Sequence, residues 1–146
     1  MNKNLLTTLL VFGLAIFAIT AFRAWSNREH IIPPAFAQQH SLPDASAAST
    51  QDGRPVLVFV TADWCGPCQS FKRGALSDPA ITELFTAKAH PVLLDADTPS
   101  NGAESLKIFS IPALLLLKNG REVARLEGGV NASELTSWFN AALAKP

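Results

Sequence analysis

Cys65 and Cys68 are the only cysteines of this 146-residue chain, two residues apart in Trp64-Cys65-Gly66-Pro67-Cys68. Thiols at that spacing suit two chemistries: thiol–disulfide exchange, or one half of a tetrahedral zinc site. Zinc needs two more ligands, and His30, His40 and His90 show no matching spacing. The neighbours of the pair favour exchange. The apolar run Val56-Leu57-Val58-Phe59-Val60 precedes it, and a helical segment follows. A helix N-terminus carries partial positive charge and unpaired N–H groups, which stabilise a thiolate. Cys65 is therefore the candidate attacking thiolate, expected to be exposed and of lowered pKa. Cys68, one turn in, is the candidate buried thiol that attacks a mixed disulfide formed on Cys65. Gly66 and Pro67 set the tight turn and the first helical turn, where proline's missing N–H is no loss. Trp64 offers an apolar cover and docking surface.

The elements that must position this pair can be read from the pattern around it. Val56–Thr61 is a buried strand and Pro67 to Gly74 the first part of a helix. Ser77-Asp78-Pro79 restarts the helix, with Ile81, Leu84 and Phe85 as its apolar stripe. Pro91–Asp95 reads as the next strand, and Thr98-Pro99-Ser100-Asn101 as the start of a helix running to Phe109. Ala113–Leu117 and Glu122–Glu127 make a hairpin across Lys118-Asn119-Gly120-Arg121. The last helix opens at Asn131-Ala132-Ser133-Glu134, and Leu135, Trp138, Phe139 and Leu143 share one face. The same Asn-Ala-Ser is a glycosylation sequon, but a helix cap accounts for every residue in it. The order β-α-β-α-β-β-α predicts an α/β domain over residues 54–146.

The first part of the chain differs in character. Leu5 to Phe22 carries no charge, follows Lys3, and is followed by Arg23, Trp25 and Arg28. A membrane span needs about 20 mainly apolar residues, and the apolar region of a signal peptide about 7–15. Residues 1–25 are therefore expected to be a signal-anchor or transmembrane helix, with residues 5–22 in the lipid bilayer. The alternative is a cleaved signal with its A-x-A site at Ala35-Phe36-Ala37. Residues 26–53, with Pro33-Pro34 and then polar and small residues, show no apolar period and are expected to be a flexible linker. With 12 basic and 12 acidic residues and no basic cluster, nucleic-acid binding is not expected.

Residues 54–145 resemble the thioredoxin family. Four features carry the likeness in the right order: Cys65-Gly66-Pro67-Cys68, Ile111-Pro112 at the family's cis-proline, Asn119-Gly120 at its hairpin turn, and Gly128 after the last strand. The resemblance implies a thioredoxin-like fold, with a mixed sheet and helices on both faces, and a protein-disulfide reductase. It implies no cofactor beyond the Cys65–Cys68 disulfide, and no metal. Backbone groups of Ile111 beside Cys65 would pair with an extended partner segment, and Gly66-Pro67 resembles the reducing members. There are two departures. The family's buried Asp, six residues before the first cysteine, is Phe59 here, and its partner Lys is Leu93. Cys68 is then expected to lack its usual proton acceptor and to have a raised pKa. The family's additional N-terminal strand and helix are not evident.

A second likeness, in Ala62-Asp63-Trp64-Cys65, Phe71-Lys72 and Ser77-Asp78-Pro79, is to the C-terminal domains of transmembrane thiol–disulfide interchange proteins. It implies electrons received from a membrane or periplasmic thiol donor and passed to disulfides of exported proteins. The expectation is a monomeric, membrane-tethered reductase, single-pass in a bacterial inner membrane with the domain in the periplasm. The alternatives are a soluble periplasmic form after cleavage, an oxidase or isomerase of the same fold, and a redox-regulated binding module.

Overall fold

The computed structural model describes residues 3–26, 31–99 and 102–146, with the side chains of 3–8 and 22–26 left aside. Arg28, His30, Ser100 and Asn101, and the side chains of Lys3, Arg23 and Trp25, thus lie outside the described residues. The chain divides into two compact units, residues 1–30 and 31–146. The first is a single helix, α1 (Lys3–Ser26). Its described side chains, residues 9–21, are all exposed. Among the described residues, no helix is long and apolar enough to cross a membrane.

The second unit is built on one mixed sheet. Strands β1 (Val56–Thr61), β2 (His90–Asp95), β3 (Ala113–Lys118) and β4 (Arg121–Glu127) lie in the order β2-β1-β3-β4. β1 runs parallel to β2 and antiparallel to β3, which pairs antiparallel with β4. β1 reads as an unbroken apolar run because both of its faces are covered. Leu57 and Phe59 enter one core, and Val56, Val58 and Val60 enter the other. The β3–β4 turn holds Asn119 at φ 51° and Gly120 at φ 72°. Two consecutive left-handed residues make the tight turn that matches strand twist, as the Asn-Gly pair predicts.

The helices follow their caps. Helix α3 (Gly66–Arg73) leads through a 3-10 turn at Ala75–Ser77 into α4 (Pro79–Lys88). Asp78 caps α4, its carboxylate accepting from the Ala80 N–H at 2.8 Å. α5 (Ala132–Leu143) opens on the expected reciprocal cap between Asn131 and Glu134. Leu135 and Phe139 on α5 and Ile81 and Phe85 on α4 are fully buried on the sheet, while Trp138 is only partly covered. The Lys118 ammonium donates to the Leu143 and Lys145 carbonyls, satisfying acceptors at the end of α5.

Two segments differ from their expected form. Residues 31–53 are not a free linker. Helix α2 (Leu42–Asp52) is capped by Ser41 and closed by Gly53 at φ 74°, and it buries Ala45 against the Val58 side of the sheet. A 3-10 turn at Pro34–Phe36 sends Phe36, 1 % exposed, into the opposite core. There its ring lies 5.6 Å from Phe59 and 6.4 Å from Phe85. So short a segment, burying one aromatic and a few small residues, leaves no hydrophobic period to detect. The helix described as missing from the N-terminal part is therefore present. The second difference lies at 98–109. Among the described residues there, only a 3-10 turn, Ala103–Leu106, forms. Gly102 at φ 96° and Lys107 at φ 49° bound it, and Arg125 donates to the Leu106 and Lys107 carbonyls that a longer helix would need.

α2 is also held by charge. The Asp52 carboxylate meets the His90 Nε2 at 3.0 Å and the Arg54 Nε at 2.8 Å. Hydrogen bonding to His90, then to Arg54, holds its carboxyl far below the usual carboxylate range.

Two predictions follow from this packing. Phe36→Ala should destabilise the domain by about 3–5 kcal/mol in urea unfolding, the usual loss for a buried aromatic ring; a free linker would show no change. Because the folded pKa of Asp52 is depressed, its stabilisation is complete above the ordinary value of 3.8 and is lost as pH falls below it. Asp52→Asn should flatten that acid limb of the stability–pH curve and leave the alkaline side unchanged.

Candidate active site

Every residue named from the sequence as a site residue converges at one end of the sheet. β1 ends at Thr61, and the next four residues turn the chain into α3. Cys65 is the N-cap of that helix, and its sulfur accepts the Cys68 N–H at 3.2 Å. Gly66 and Pro67 fill the first turn. Cys65 and Cys68 are joined by a disulfide, with Cα atoms 5.2 Å apart. Cys68 is fully buried, as expected. Cys65 is not exposed in this oxidised form. It is 4 % accessible, because its sulfur is bonded inward and the residue packs with Ala62 and Ile111.

The surrounding loops are tied to this corner. The Ile111–Pro112 peptide is cis, and the Ile111 carbonyl oxygen lies 3.9 Å from the Cys65 sulfur. The Gly128 N–H donates to the Pro112 carbonyl at 2.8 Å, so the end of β4 braces the loop before β3. Trp64 is 68 % exposed, and its indole N–H donates to Asp97 at 2.6 Å. A cleft of about 500 Å³ runs from Trp64 and Asp97 past Phe109, itself 87 % exposed, to Ile111. A second cleft is lined by Pro67, Phe71 and Gly129 among others. A side chain at Gly129 would press on Phe71, since a Cβ there would lie 3.3 Å from the Phe71 Cβ.

Phe59 and Leu93 sit opposite each other in the β1–β2 register. Phe59 is fully buried, with its ring 6.0 Å from that of Phe71. No carboxylate occupies that position, yet a charge stands elsewhere in the interior. Lys72 is fully buried, and among the described residues its ammonium finds no hydrogen-bond partner; nor does the buried Thr61 hydroxyl. Burial lowers the Lys72 pKa, and the Asp63 and Asp95 carboxylates act against that.

Lys72 and two other residues carry roles that the sequence had not shown. Gln69 donates its side-chain amide to the Ala62 and Asp63 carbonyls, pinning the loop before the disulfide. Its spacing, four residues beyond Cys65, is a signal that was present; the same spacing separates Lys72 from Cys68. Asp97 had no such signal, because only the sheet brings it beside Trp64. Among the described residues, no group of three His, Cys, Asp or Glu side chains converges to hold a metal.

The geometry agrees with what the chain is similar to. A sequence profile described as thioredoxin-like matches residues 37–119. A thiol:disulfide interchange protein, DsbD of Yersinia enterocolitica, is 34 % identical over 123 residues, covering 77 % of this chain and 21 % of that protein. The chain thus spans about a fifth of that relative's length. A thioredoxin of Mycobacterium tuberculosis is 35 % identical over 97 residues, covering 63 % of this chain and 78 % of that one. Among solved structures, a Thermus thermophilus thioredoxin superposes with a TM-score of 0.65 at 27 % identity, covering 72 % of this chain and 85 % of that chain. With its Cys-Gly-Pro-Cys disulfide at the head of α3, the chain belongs to the thioredoxin-like family of thiol–disulfide oxidoreductases.

Proposed function

We propose that this protein reduces disulfides of exported proteins while tethered to a bacterial inner membrane, with its domain in the periplasm. The observation that carries the chemistry is the Cys68 N–H aimed at the Cys65 sulfur at the head of α3. When the pair is reduced, that N–H and the helix dipole favour the Cys65 thiolate. The thiolate attacks one sulfur of a substrate disulfide, and the other substrate sulfur leaves as a thiolate. Cys68 then attacks the Cys65 sulfur, releasing the second substrate thiol and re-forming Cys65–Cys68. The substrate is oxidant and the protein dithiol is reductant. No cofactor enters, and a membrane or periplasmic thiol donor restores the dithiol. The Ile111 carbonyl, beside Cys65, is placed to accept a backbone N–H from an extended substrate segment. Trp64 and Phe109 offer apolar contact around it. The Gly66-Pro67 dipeptide supports the reducing direction.

The tether is supported by the charge-free run Leu5 to Phe22, which extends beyond the described side chains at both ends of α1. A helix of 24 residues is about 36 Å long, against about 30 Å of bilayer hydrocarbon. Cleavage after Ala37 is disfavoured because it would strip Phe36 from the core. The domain acts as a single copy in this reading.

The equilibrium potential of Cys65–Cys68 tests the direction. A value near about −270 mV is expected, and one near about −120 mV would make the protein an oxidant. Cys65→Ser should abolish turnover on a disulfide substrate, whereas Cys68→Ser should trap a mixed disulfide through Cys65. Retained turnover in Cys65→Ser would exclude this mechanism. On cell fractionation, the intact chain should stay with membranes after alkaline extraction; recovery of a soluble, shortened chain would mean that the signal is cleaved.

A further inference from the structure

An unpaired ammonium inside a small protein breaks a strong rule. Buried charges are paired or hydrogen-bonded, because removing an ion from water costs several kcal/mol. Lys72 is 0 % exposed, and its Nζ has no hydrogen-bond partner among the described residues. Lysine stems often run along apolar surface and return the charge to water, but this one does not. A local rule broken without visible structural return points to a functional site.

Its place in the helix shows what it acts on. Cys68 and Lys72 are both on α3, four residues apart, and both are fully buried. Residues at that spacing share a helix face, about 5–6 Å apart at Cβ. Long helical side chains lean toward the N-terminus, so Lys72 extends back over the turn that holds Cys68. Two acidic groups act on its ammonium, Asp63 and Asp95. Asp63 lies in the loop before Cys65, and Asp95 ends β2 opposite Thr61. Its ammonium thus feels one carboxylate from the loop at the head of α3 and one from the end of β2. Those two carboxylates are the charged groups facing it from the loop and from the sheet. They favour its charged form, against a desolvation that disfavours it.

We propose that Lys72 is a positioning residue for the resolving step, its ammonium held one helical turn behind Cys68 where it steadies the thiolate that attacks the mixed disulfide. In that step the Cys68 thiolate forms a bond to the Cys65 sulfur. The bond from Cys65 to the substrate sulfur breaks, and the substrate leaves as a thiolate that takes a proton from water. Cys68 reached the thiolate form by losing its own proton to water, and Lys72 stays an ammonium throughout. This supplies from α3 the electrostatic help that Phe59 and Leu93 cannot give from the sheet. It reverses the expectation of a sluggish, high-pKa Cys68 drawn from those two residues alone.

The proposal rests on Cys68 being the resolving sulfur, and the test separates the two. The full chain, in mild detergent, is reduced and alkylated at Cys65, and the Cys68 thiolate is titrated by its ultraviolet absorbance. The wild type should titrate at or below the ordinary thiol value of about 8.5. Lys72→Met, apolar and of similar length, should raise Cys68 by at least about one pH unit. It should also slow mixed-disulfide resolution about tenfold at neutral pH, with Lys72→Arg restoring most of the rate. A lysine that matters only for folding would shift the unfolding midpoint and leave the titration in place, which would overturn the proposal. If Lys72→Met fails to fold, the wild-type titration decides alone: a Cys68 well above the ordinary thiol value overturns it. A Cys68→Ser chain that turns over without trapping a mixed disulfide would instead fault the assignment of Cys68.

Discussion

The ring of Phe59 is the contact on which the rest of the domain depends. It lies at the centre of β1 and meets Phe71 on α3 and Phe36 from the N-terminal segment. Through Phe71 it sets how α3 rests on the sheet, and so where the chain emerges at Cys65. Through Phe36 it draws residues 31–37 into the core, where that ring also meets Phe85, which in turn stacks 4.7 Å from Phe139. A single seam of aromatic rings thus joins the active-site helix, the N-terminal segment, α4 and α5. A carboxylate at position 59 would have to sit in the middle of that seam without water. Its replacement by an apolar ring, matched by Leu93 across the register, removes both members of a buried pair together.

That packing also places the start of the folded unit earlier than composition suggests. α2 covers the Val58 face of the sheet and the Phe36 turn covers the Phe59 face, so residues 31–53 contribute to both cores. The contacts of Asp52 with His90 and Arg54 fasten the end of α2 to the start of β2. These contacts are small individually, but together they close the sheet on both sides. Any cut between residue 31 and residue 53 would reopen it.

The parts of the fold that were legible in the sequence are those where one residue type has one physical use. Asn119-Gly120 admits a tight left-handed turn, Asn131 with Glu134 caps a helix, and a cysteine pair after a buried strand places the disulfide. Ile111-Pro112 and Gly128 were legible through resemblance, and the Gly128 N–H to Pro112 carbonyl bond shows what joins them. The missed parts depend on tertiary contact. Ala45 and Phe36 look like linker residues until the sheet lies under them. The run from Thr98 to Phe109 has helical-looking composition, but Gly102 must be left-handed, and Arg125 takes the carbonyls that a further turn would use. Lys72 looks like a surface lysine because Arg73 and Gly74 follow it and charged residues are rarely buried. Its helix face, shared with Cys68, is what puts it inside.

The two sulfurs of the site draw their electrostatic support from different sources, for a geometric reason. Cys65 is the N-cap, so it can use the free N–H groups and the positive end of α3. Cys68 is the third residue of the same helix, and its own N–H is spent on the Cys65 sulfur. Cys68 is also fully buried, so it lacks the solvation that an exposed thiolate has. A thiolate there must therefore be supported by a side chain. β1 carries the apolar Phe59 and no acid, and Lys72 shares the helix face of Cys68, four residues on. In the proposed exchange, backbone supports the sulfur that attacks the substrate, and a buried side chain on the same helix face supports the sulfur that resolves it.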